Sequence, residues 1–519
     1  MERPLVALLF LAPMAAGADW FVDARRGDDR TGDGSPMRPW RTIARALEAA
    51  PRPEAPAWTD LWIASGRHDA ALGERFPLRL PPRTALHGAG ADHTVISGSA
   101  TMLEAVSGAG PPEPDPRVRV EGLAFVDGGI GISADGTIAP PPLVEARRCR
   151  FLRTQTGIAC VRATARVEEC EFREQSTGVA FLVLEEGHPA PSVRRTLFDG
   201  GAFGVTARNV RGLAIEGCRF RRLGSAVLLE ALGAFGEIRN QVAGCVLTGN
   251  EVGVRAQAVL GGSLSIFLPH DTFWRNDHGI LNLVSGTTGG LAKLEVVNTV
   301  AWESRLADFH GVDGGGVRHC IFGTQTATPN PAPVGLSGNL SLDPAFTDPE
   351  GGDFHLSSGS PALDAGAALP GGIPATDLDD EPRAIGFPDI GADEWGSFLR
   401  AEGVARPGGI VRLLLWSPRD PFLPYALGLA FDGAPGVPWG DRRLPIVPDA
   451  LFARSLVPGL LLDRPIGLLD QRGEARADLR LPSHPGLAGI TLHAAFATLA
   501  PAAPGYLRSL SNALPLPIE

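Results

Sequence analysis

The sequence predicts an all-β chain: a right-handed parallel β-helix with an N-terminal helical cap, followed by a small C-terminal β-sandwich-like domain. Three observations predict it. A motif recurs along the middle of the chain, apolar residues inside it alternate with period two, and nothing within it has helical period. The repeat aligns on a residue two before an aromatic or apolar one: Leu123–Phe125, Cys149–Phe151, Cys170–Phe172, Thr196–Phe198, Cys218–Phe220, Cys245–Leu247, Thr272–Trp274, Thr299–Ala301 and Cys320–Phe322. Successive anchors lie 26, 21, 26, 22, 27, 27, 27 and 21 residues apart, too close for a βαβ crossover. A Gly follows the anchor by eight residues in Gly131, Gly157, Gly178, Gly204 and Gly253; Gly279 comes one residue early, and Ala226 and Ala307 replace it twice. Apolar pairs precede the anchor by five and three residues, as in Val118 and Val120, Val144 and Ala146, Leu213 and Ile215, Leu294 and Val296. Three short strands per turn, stacked about 4.8 Å apart, satisfy this pattern.

Taken in chain order, residues 1–18 read as a signal peptide. Arg3 precedes the apolar run "LVALLFLAPM", and "AGA" supplies small residues before Asp19. The run is too short to span a membrane, and an exported protein follows. Residues 19–100 form the N-terminal cap and first coils; in "PWRTIARALEAA" (39–50), Ile43, Ala46, Leu47 and Ala50 share one helical face. Residues 101–325 are the coils and 326–396 a closing module. Residues 397–519 hold strand-like runs such as "IVRLLLW", "YALGLAF" and "GITLHAAF" between Gly/Pro turns, an all-β domain.

Stacking the coils makes further expectations. The first corner residue before each anchor runs Glu121, Arg147, Glu168, Arg194, Glu216, so opposite charges alternate up one edge and help fix register. Cys149, Cys170, Cys218, Cys245 and Cys320 sit at the inward anchor and Cys160 on the next strand, which favours packed thiols over disulfides. The residue after the anchor changes from Arg150, Glu171 and Arg219 to Val246, Phe273, Val300 and Ile321; such a stripe calls for a cover.

The net charge is −11 with a pI near 5.6, which argues against a nucleic-acid partner. Lys293 is the single lysine.

The stretches "WFVDARRGDDRTGDGSPMRPWRTIARALEAA" (20–50), "LWIASGRHD" (61–69) and "GERFPLRLPPRTALHGAGADHTVISG" (73–98) resemble the N-terminal region of bacterial secreted β-helix proteins called domain of unknown function 1565. "LDPAFTDPEGGDFHLSSGSPALDAGA" (342–367) and "TDLDDEPRAIGFPDIGADEW" (376–395) are similar to the closing module of choice-of-anchor Q proteins. Both resemblances imply the pectate-lyase-like superfamily, a scaffold shared by many functions.

Lyases of that superfamily imply a carboxylate cluster for Ca²⁺ and a Lys or Arg base. Lys293 points outward beside Glu295, which also describes a solvated face. The densest polar constellation is "LPHDTFWRNDHGI" (268–280) with "WESRLADFHGVD" (302–313). A 27-residue period sets Asn276 beside Glu303 and Asp277 beside Ser304, and gathers His270, Asp271, Asp277, His278, Glu303, Asp308 and His310 as candidate catalytic or glycan-contact residues. Pro269 breaks the apolar pattern three before the anchor, and irregularity on a regular scaffold marks function. "PHD" (269–271) partly resembles a motif of β-helix mannuronan epimerases, with Leu268 in place of its leading Asp. Asp28, Asp29 and Asp33 in "RGDDRTGDG", and Asp377, Asp379 and Asp380 in "DLDDE", are the candidate Ca²⁺ ligands. The expected function is an exported binding or structural protein that contacts extracellular polysaccharide along its long face, or serves as a mechanical spacer. The alternative is a polysaccharide-degrading enzyme, lyase before hydrolase.

Overall fold

Each coil turns at residues in the left-handed backbone region, which L-residues adopt at a cost. In the computed structural model the first such corner falls at Gly122, Arg148, Glu169, Arg195, Gly217, Gly244 and His270, with φ between 45° and 66°. The second falls at Asp127, Arg153, Glu174, Gly200, Arg222, Gly249, Arg275 and Glu303, with φ between 50° and 77°. The structure describes residues 18–519 except 53–56, 99, 107–114, 138–139, 185–187, 234–235, 285–288, 329, 358–359, 370–375, 379–382, 384–387, 396, 418–419, 433–436, 440–441, 445, 501–505 and 512. The signal-peptide segment up to residue 17 therefore lies outside the described residues. The fold is a parallel β-solenoid of about nine turns with small antiparallel C-terminal sheets. It divides into two compact units: 1–296 with 301–316 and 323–332, and 297–300 with 317–322 and 333–519.

In the first unit, parallel strands from Ala18–Val22 to Ser263–Pro269 stack into one long sheet. The free edge of Ala18–Val22 is covered by the segment 34–40, which turns tightly at 35–38: Phe21 donates to Gly34 O (2.9 Å), Trp40 to Phe21 O (3.0 Å) and Asp23 to Trp40 O (2.8 Å). Such cover removes an aggregation edge. Helix α1 (Ile43–Ala49) follows, with Thr42 as its N-cap and Ile43, Ala44 and Ala46 buried. Leu47 and Ala50 are only partly buried. The Glu74 carboxylate accepts Ile43 N (2.7 Å) and Ala44 N (2.9 Å) and meets His68 Nδ1 at 3.1 Å. It satisfies helix-terminal N–H groups that no helical carbonyl reaches.

The anchor side chain has a definite task. The N–H following the first corner is caught by the anchor of the next coil: Cys149 N by Cys170 Sγ (3.4 Å), Cys170 N by Thr196 Oγ1 (3.4 Å) and Cys245 N by Asp271 Oδ1 (2.8 Å). A small side chain with a lone pair performs this task in these coils, which explains Cys, Thr and Asp together. All six cysteines are free and buried. The thiols of Cys149, Cys218 and Cys245 lie 3.4, 3.4 and 3.7 Å from carbonyls of the preceding coil, Val120, Val193 and Ile215. Burial pushes the Cys160 thiol up to about 12 and raises Cys170 and Cys245, so these are packing groups rather than nucleophiles.

This task corrects the alignment at one coil. The anchor there is Asp271, not Thr272, because Val246 pairs with Thr272 and Leu247 with Phe273. Three apparent irregularities then vanish. Gly279 falls eight residues after the anchor, the apolar pair becomes Ile266 and Leu268, both buried, and Phe273 takes the inward aromatic place. Phe273 was expected outward and is wholly buried inside; Val246, Val300 and Ile321 are also buried.

Phe125, Phe151, Phe172, Phe198 and Phe220 form one stack, with centroids 5.0, 4.6, 4.8 and 4.8 Å apart. The recurrent Gly answers to this stack. A Cβ on Gly178 would lie 2.6 Å from Phe198 Cε1 and 2.6 Å from Gly204 O. Gly131, Gly157, Gly204 and Gly253 meet Phe151, Phe172, Phe220 and Phe273 in the same way. Ala226 is the exception, and the next coil there carries Leu247 rather than Phe.

In the second unit, the left-handed corners Asn298 and His319 are tied down by later chain. Asn298 exchanges hydrogen bonds with the Ala367 backbone (2.7 and 2.8 Å), and His319 Nδ1 meets Ala365 O at 2.9 Å. Arg383 is buried and donates to Thr376 O, Gly391 O and Ala392 O, while Asp389 accepts Asp364 N and Trp395 N, both at 2.6 Å. Two antiparallel sheets follow: Phe398–Glu402, Ile410–Trp416 and Glu474–Arg480 in one, and Ile466–Leu468, Pro424–Ala430, Thr491–Leu499, Leu507–Leu510 and Leu514–Pro517 in the other. Leu399, Val411, Leu413, Tyr425, Leu427, Ala477 and Phe496 share one core between them.

Candidate binding surface

The polar constellation at 268–313 resolves into separate structural duties. His270 and Asp271 are fully buried at the first corner, where Asp271 holds Cys245 N. Asp277 lies beyond the second corner and is held bidentately by Arg305 at 2.7 Å and 2.7 Å. That guanidinium keeps the Asp277 carboxyl below its usual range. Glu303 pairs with Arg275 at 2.7 Å, not with Asn276; the true step in this coil is 28 residues. Asn276 Oδ1 accepts both Asn250 N and Nδ2 at 2.9 Å. Asp308 is buried and accepts Ser304 N (3.1 Å), Gly323 N (2.9 Å) and Thr324 N (2.9 Å); burial raises its pKa against those bonds.

His278 and His310 do come together, edge to face with ring centroids 5.3 Å apart. Burial first, and the neighbouring His310 charge second, push His278 down. His310 Nδ1 meets Thr326 Oγ1 at 3.0 Å. Each carboxylate of the constellation is engaged by its own cation or backbone N–H groups. A hydrolase needs one carboxyl free to donate a proton and a second to act as base or nucleophile.

The candidate calcium ligands are likewise engaged. Asp28 accepts Arg30 N (2.7 Å) and Thr31 N (3.0 Å); Asp29 accepts Arg41 N (2.8 Å), Thr42 N (3.0 Å) and the Thr42 hydroxyl (2.8 Å). Bonds from Ser35 and Arg38 hold Asp33 at about 2. Asp377 accepts Glu394 N at 3.1 Å; Asp379 and Asp380 lie outside the described residues. Among the described residues, no three His, Cys, Asp or Glu side chains converge as a metal would require. Lys293 is exposed; the Arg239 hydrogen bond holds Glu237 below its usual range, with the Lys293 charge adding to it.

The outer face of the long sheet is more orderly. Strand register places Phe21, Trp62, His87, Glu121, Arg147, Glu168, Arg194 and Glu216 in one row, a residue per coil. Trp62 is 41% exposed, stacks on His87 at 4.4 Å and donates to Asp19 at 3.0 Å. His87 Nε2 meets Asp60 at 2.9 Å. The expected corner pairing is present: Arg147 meets Glu168 at 2.9 Å, Arg194 meets Glu216 at 3.0 Å, and Arg148 and Arg195 bind Glu121 and Glu168. Beside it runs a second row, Arg119, Glu145 and Arg166, in which Arg119 binds Glu145 at 2.8 Å and lies 4.0 Å over Trp58.

Sequence reasoning missed the ladder at the second corner, where Arg153 meets Asp127 at 2.7 Å and Arg221 and Arg222 share Asp199 at 2.7 and 2.8 Å. Its signal was the position four after the anchor, which runs Asp, Arg, Glu, Gly, Arg, Gly, Arg, Glu.

No curated protein matches the chain. Among solved structures, the catalytic domain of a GH87 alpha-1,3-glucanase variant in complex with tetrasaccharides is similar at 12% identity and a TM-score of 0.37, covering 63% of this chain and 70% of that one. The catalytic unit of the thermostable GH87 alpha-1,3-glucanase from Streptomyces thermodiastaticus strain HF3-3 is similar at 14% identity and a TM-score of 0.33, covering 64% and 71%. Residues 25–263, a stretch within the β-solenoid, match the family described as "Protein of unknown function (DUF1565)".

Proposed function

We infer that this protein is an exported β-solenoid that binds polysaccharide along the outer face of its long sheet without cleaving it. One observation carries the reading: the row that starts at the Trp62–His87 stack and continues through Glu121, Arg147, Glu168, Arg194 and Glu216. An indole open to solvent offers an apolar surface with a polar rim. The charged row beyond it presents hydrogen-bond donors and acceptors at every coil, about 4.8 Å apart. A linear polymer of hydroxylated rings suits such a periodic surface. The engagement of the acids at 268–313 supports binding over hydrolysis.

The test is affinity electrophoresis of the purified chain through gels containing neutral or uronic-acid polysaccharides, with reducing-end and unsaturated-product assays in parallel. Retardation by at least one polymer, weakened about tenfold by Trp62→Ala, is the expected result, with no product released. Equal retardation of the variant, or none with any polymer, overturns the surface; product formation restores the enzymatic alternative.

A further inference from the structure

Two orphaned nitrogens lie on the outer face of the solenoid's other sheet. Strands Arg219–Leu232, Val252–Val259, His278–Val284 and Ala307–His310 follow one another there, coil upon coil. Val254, Ile280 and Phe309 share one register row and are wholly buried inside. Side chains alternate along a strand, so the next row, Leu228, Arg255, Leu281 and His310, faces outward. Leu281 therefore has Arg255 on one side and His310 on the other. His278 stands three residues before Leu281 on the same strand, and its ring lies 5.3 Å from the His310 ring between centroids. Although it points outward, Leu281 is only 8% exposed, so longer side chains around it stand over it. Arg255 Nε and His278 Nδ1 are shielded from water, and neither has a hydrogen-bond partner among the described residues. Buried polar groups without partners are uncommon and call for a reason.

We propose that the patch around Leu281 is a carboxylate-binding site, in which the Arg255 guanidinium takes both oxygens side-on and His278 and His310 donate beside it. Other arginines of the solenoid show what such an Nε holds. Arg305 grips Asp277 through Nε and Nη2, both at 2.7 Å, and Arg117 grips Asp115 in the same way, both at 2.7 Å. Arg208 Nε meets Glu230 at 2.8 Å, and Arg275 Nε meets Glu303 at 2.7 Å. The acids around Arg255 are thereby taken: Glu230 on one adjoining strand by Arg208, Asp277 at the start of the other by Arg305. Glu251, four residues before Arg255, is exposed. The planar fork of a guanidinium matches a carboxylate in shape as well as charge. His310 Nδ1 is occupied with Thr326 Oγ1 at 3.0 Å, which leaves its Nε2 for the ligand. Arg255 and His278 are each only partly buried, so solvent reaches the patch. A metal ion held by the two imidazoles would leave Arg255 Nε unanswered and bring a further cation beside it.

Isothermal titration calorimetry of the full chain tests the proposal, with glucuronate, glutamate and sulfate as probes, at low ionic strength and about pH 6. The expected result is saturable binding of at least one carboxylate, with sulfate weaker. Preference for glucuronate marks a sugar acid as the ligand, and preference for glutamate an acidic peptide side chain. Arg255→Gln weakens binding about tenfold, and Arg255→Lys does not restore it, because an ammonium keeps the charge without the fork. His278→Gln weakens it less. Arg255 loses no hydrogen bond on replacement, so its variants keep the parent's thermal melt. Trp62→Ala leaves carboxylate binding unchanged, which separates this site from the row on the long sheet. No binding of either carboxylate, tighter binding of sulfate, or parental affinity in Arg255→Gln or Arg255→Lys overturns the proposal.

Discussion

The pairing of Gly178 with Phe198 lends itself to a direct test. Gly178→Ala adds one methyl group whose carbon would sit 2.6 Å from Phe198 Cε1, 2.7 Å from Cδ1 and 2.6 Å from Gly204 O. Ordinary contact starts at 3.4 Å, so the ring and the Gly204 carbonyl must each yield by about 0.8 Å, the ring within a stack whose neighbours lie 4.8 Å away on both sides. Gly178 is not in the left-handed region, so the backbone accepts alanine and the cost is overpacking, about 1–3 kcal/mol. Phe198→Leu alone removes stacked ring atoms and costs about 1–2 kcal/mol. The double variant recreates the native Ala226–Leu247 combination. Its cost should fall short of the sum by about 1 kcal/mol or more, the coupling expected of residues in contact. Urea denaturation followed by circular dichroism, with all four proteins at one m value, measures the cycle. Strict additivity, or a Gly178→Ala variant as stable as the parent, refutes the steric account.

Three further outcomes follow from the same geometry. Asp271→Leu leaves the buried Cys245 N–H without its acceptor and costs about 1–3 kcal/mol, whereas Asp271→Thr keeps an acceptor and costs less; thermal melts of the pair decide it. Glu168→Arg sets like charges beside Arg147 and Arg195, costs about 1 kcal/mol, and loses part of that cost at 0.5 M salt, seen as a converging Tm. Burial, with the Asp364 and Asp393 charges adding to it, raises Asp389 to about 8, so the folded state keeps a proton that the unfolded chain releases near 4. The contribution of this group to stability therefore falls as pH rises from about 4 to 8; Asp389→Asn should start lower at pH 5 but flatten the slope relative to the parent, and an unchanged slope in pH-resolved melts counts against the assignment.

The solenoid was legible because its interior repeats. Cysteines, phenylalanines and β-branched residues return to the same inward place in every coil, and the first corner shows alternating charge without any coordinates. The slip at Asp271 shows where legibility ends. A thiol, a hydroxyl and a carboxylate perform one task there, accepting an N–H from the coil below, and likeness of side chains alone favours Thr272 over Asp271. The covering of the first strand by the segment at 34–40 was hidden for a related reason: it rests on backbone hydrogen bonds, which leave no periodic signature. The candidate binding row was half visible. Its Glu and Arg members were read as a ladder, but Trp62 and His87 precede the repeat and join the row only through strand register.

The same reasoning decides how the motif "PHD" should be weighed. His270 occupies a left-handed corner at φ 58°, a conformation costing an L-residue about 1–2 kcal/mol. Equivalent corners elsewhere carry Arg148, Glu169 and Arg195, whose ion pairs each return about 0–1 kcal/mol, or glycines that pay little. Polar residues therefore gather at the corners because stacking compensates a strained backbone there, coil after coil. His270 and Glu303 are corner residues of this kind, and density of polar residues at corners alone is no signal of chemistry in such a solenoid. The discriminating signal is a side chain that faces solvent on a strand between corners, with no corner strain to offset. Trp62 meets that condition: it lies within Thr59–Ile63, paired with Phe21 on one side and His87 on the other, and still exposes 41% of its surface.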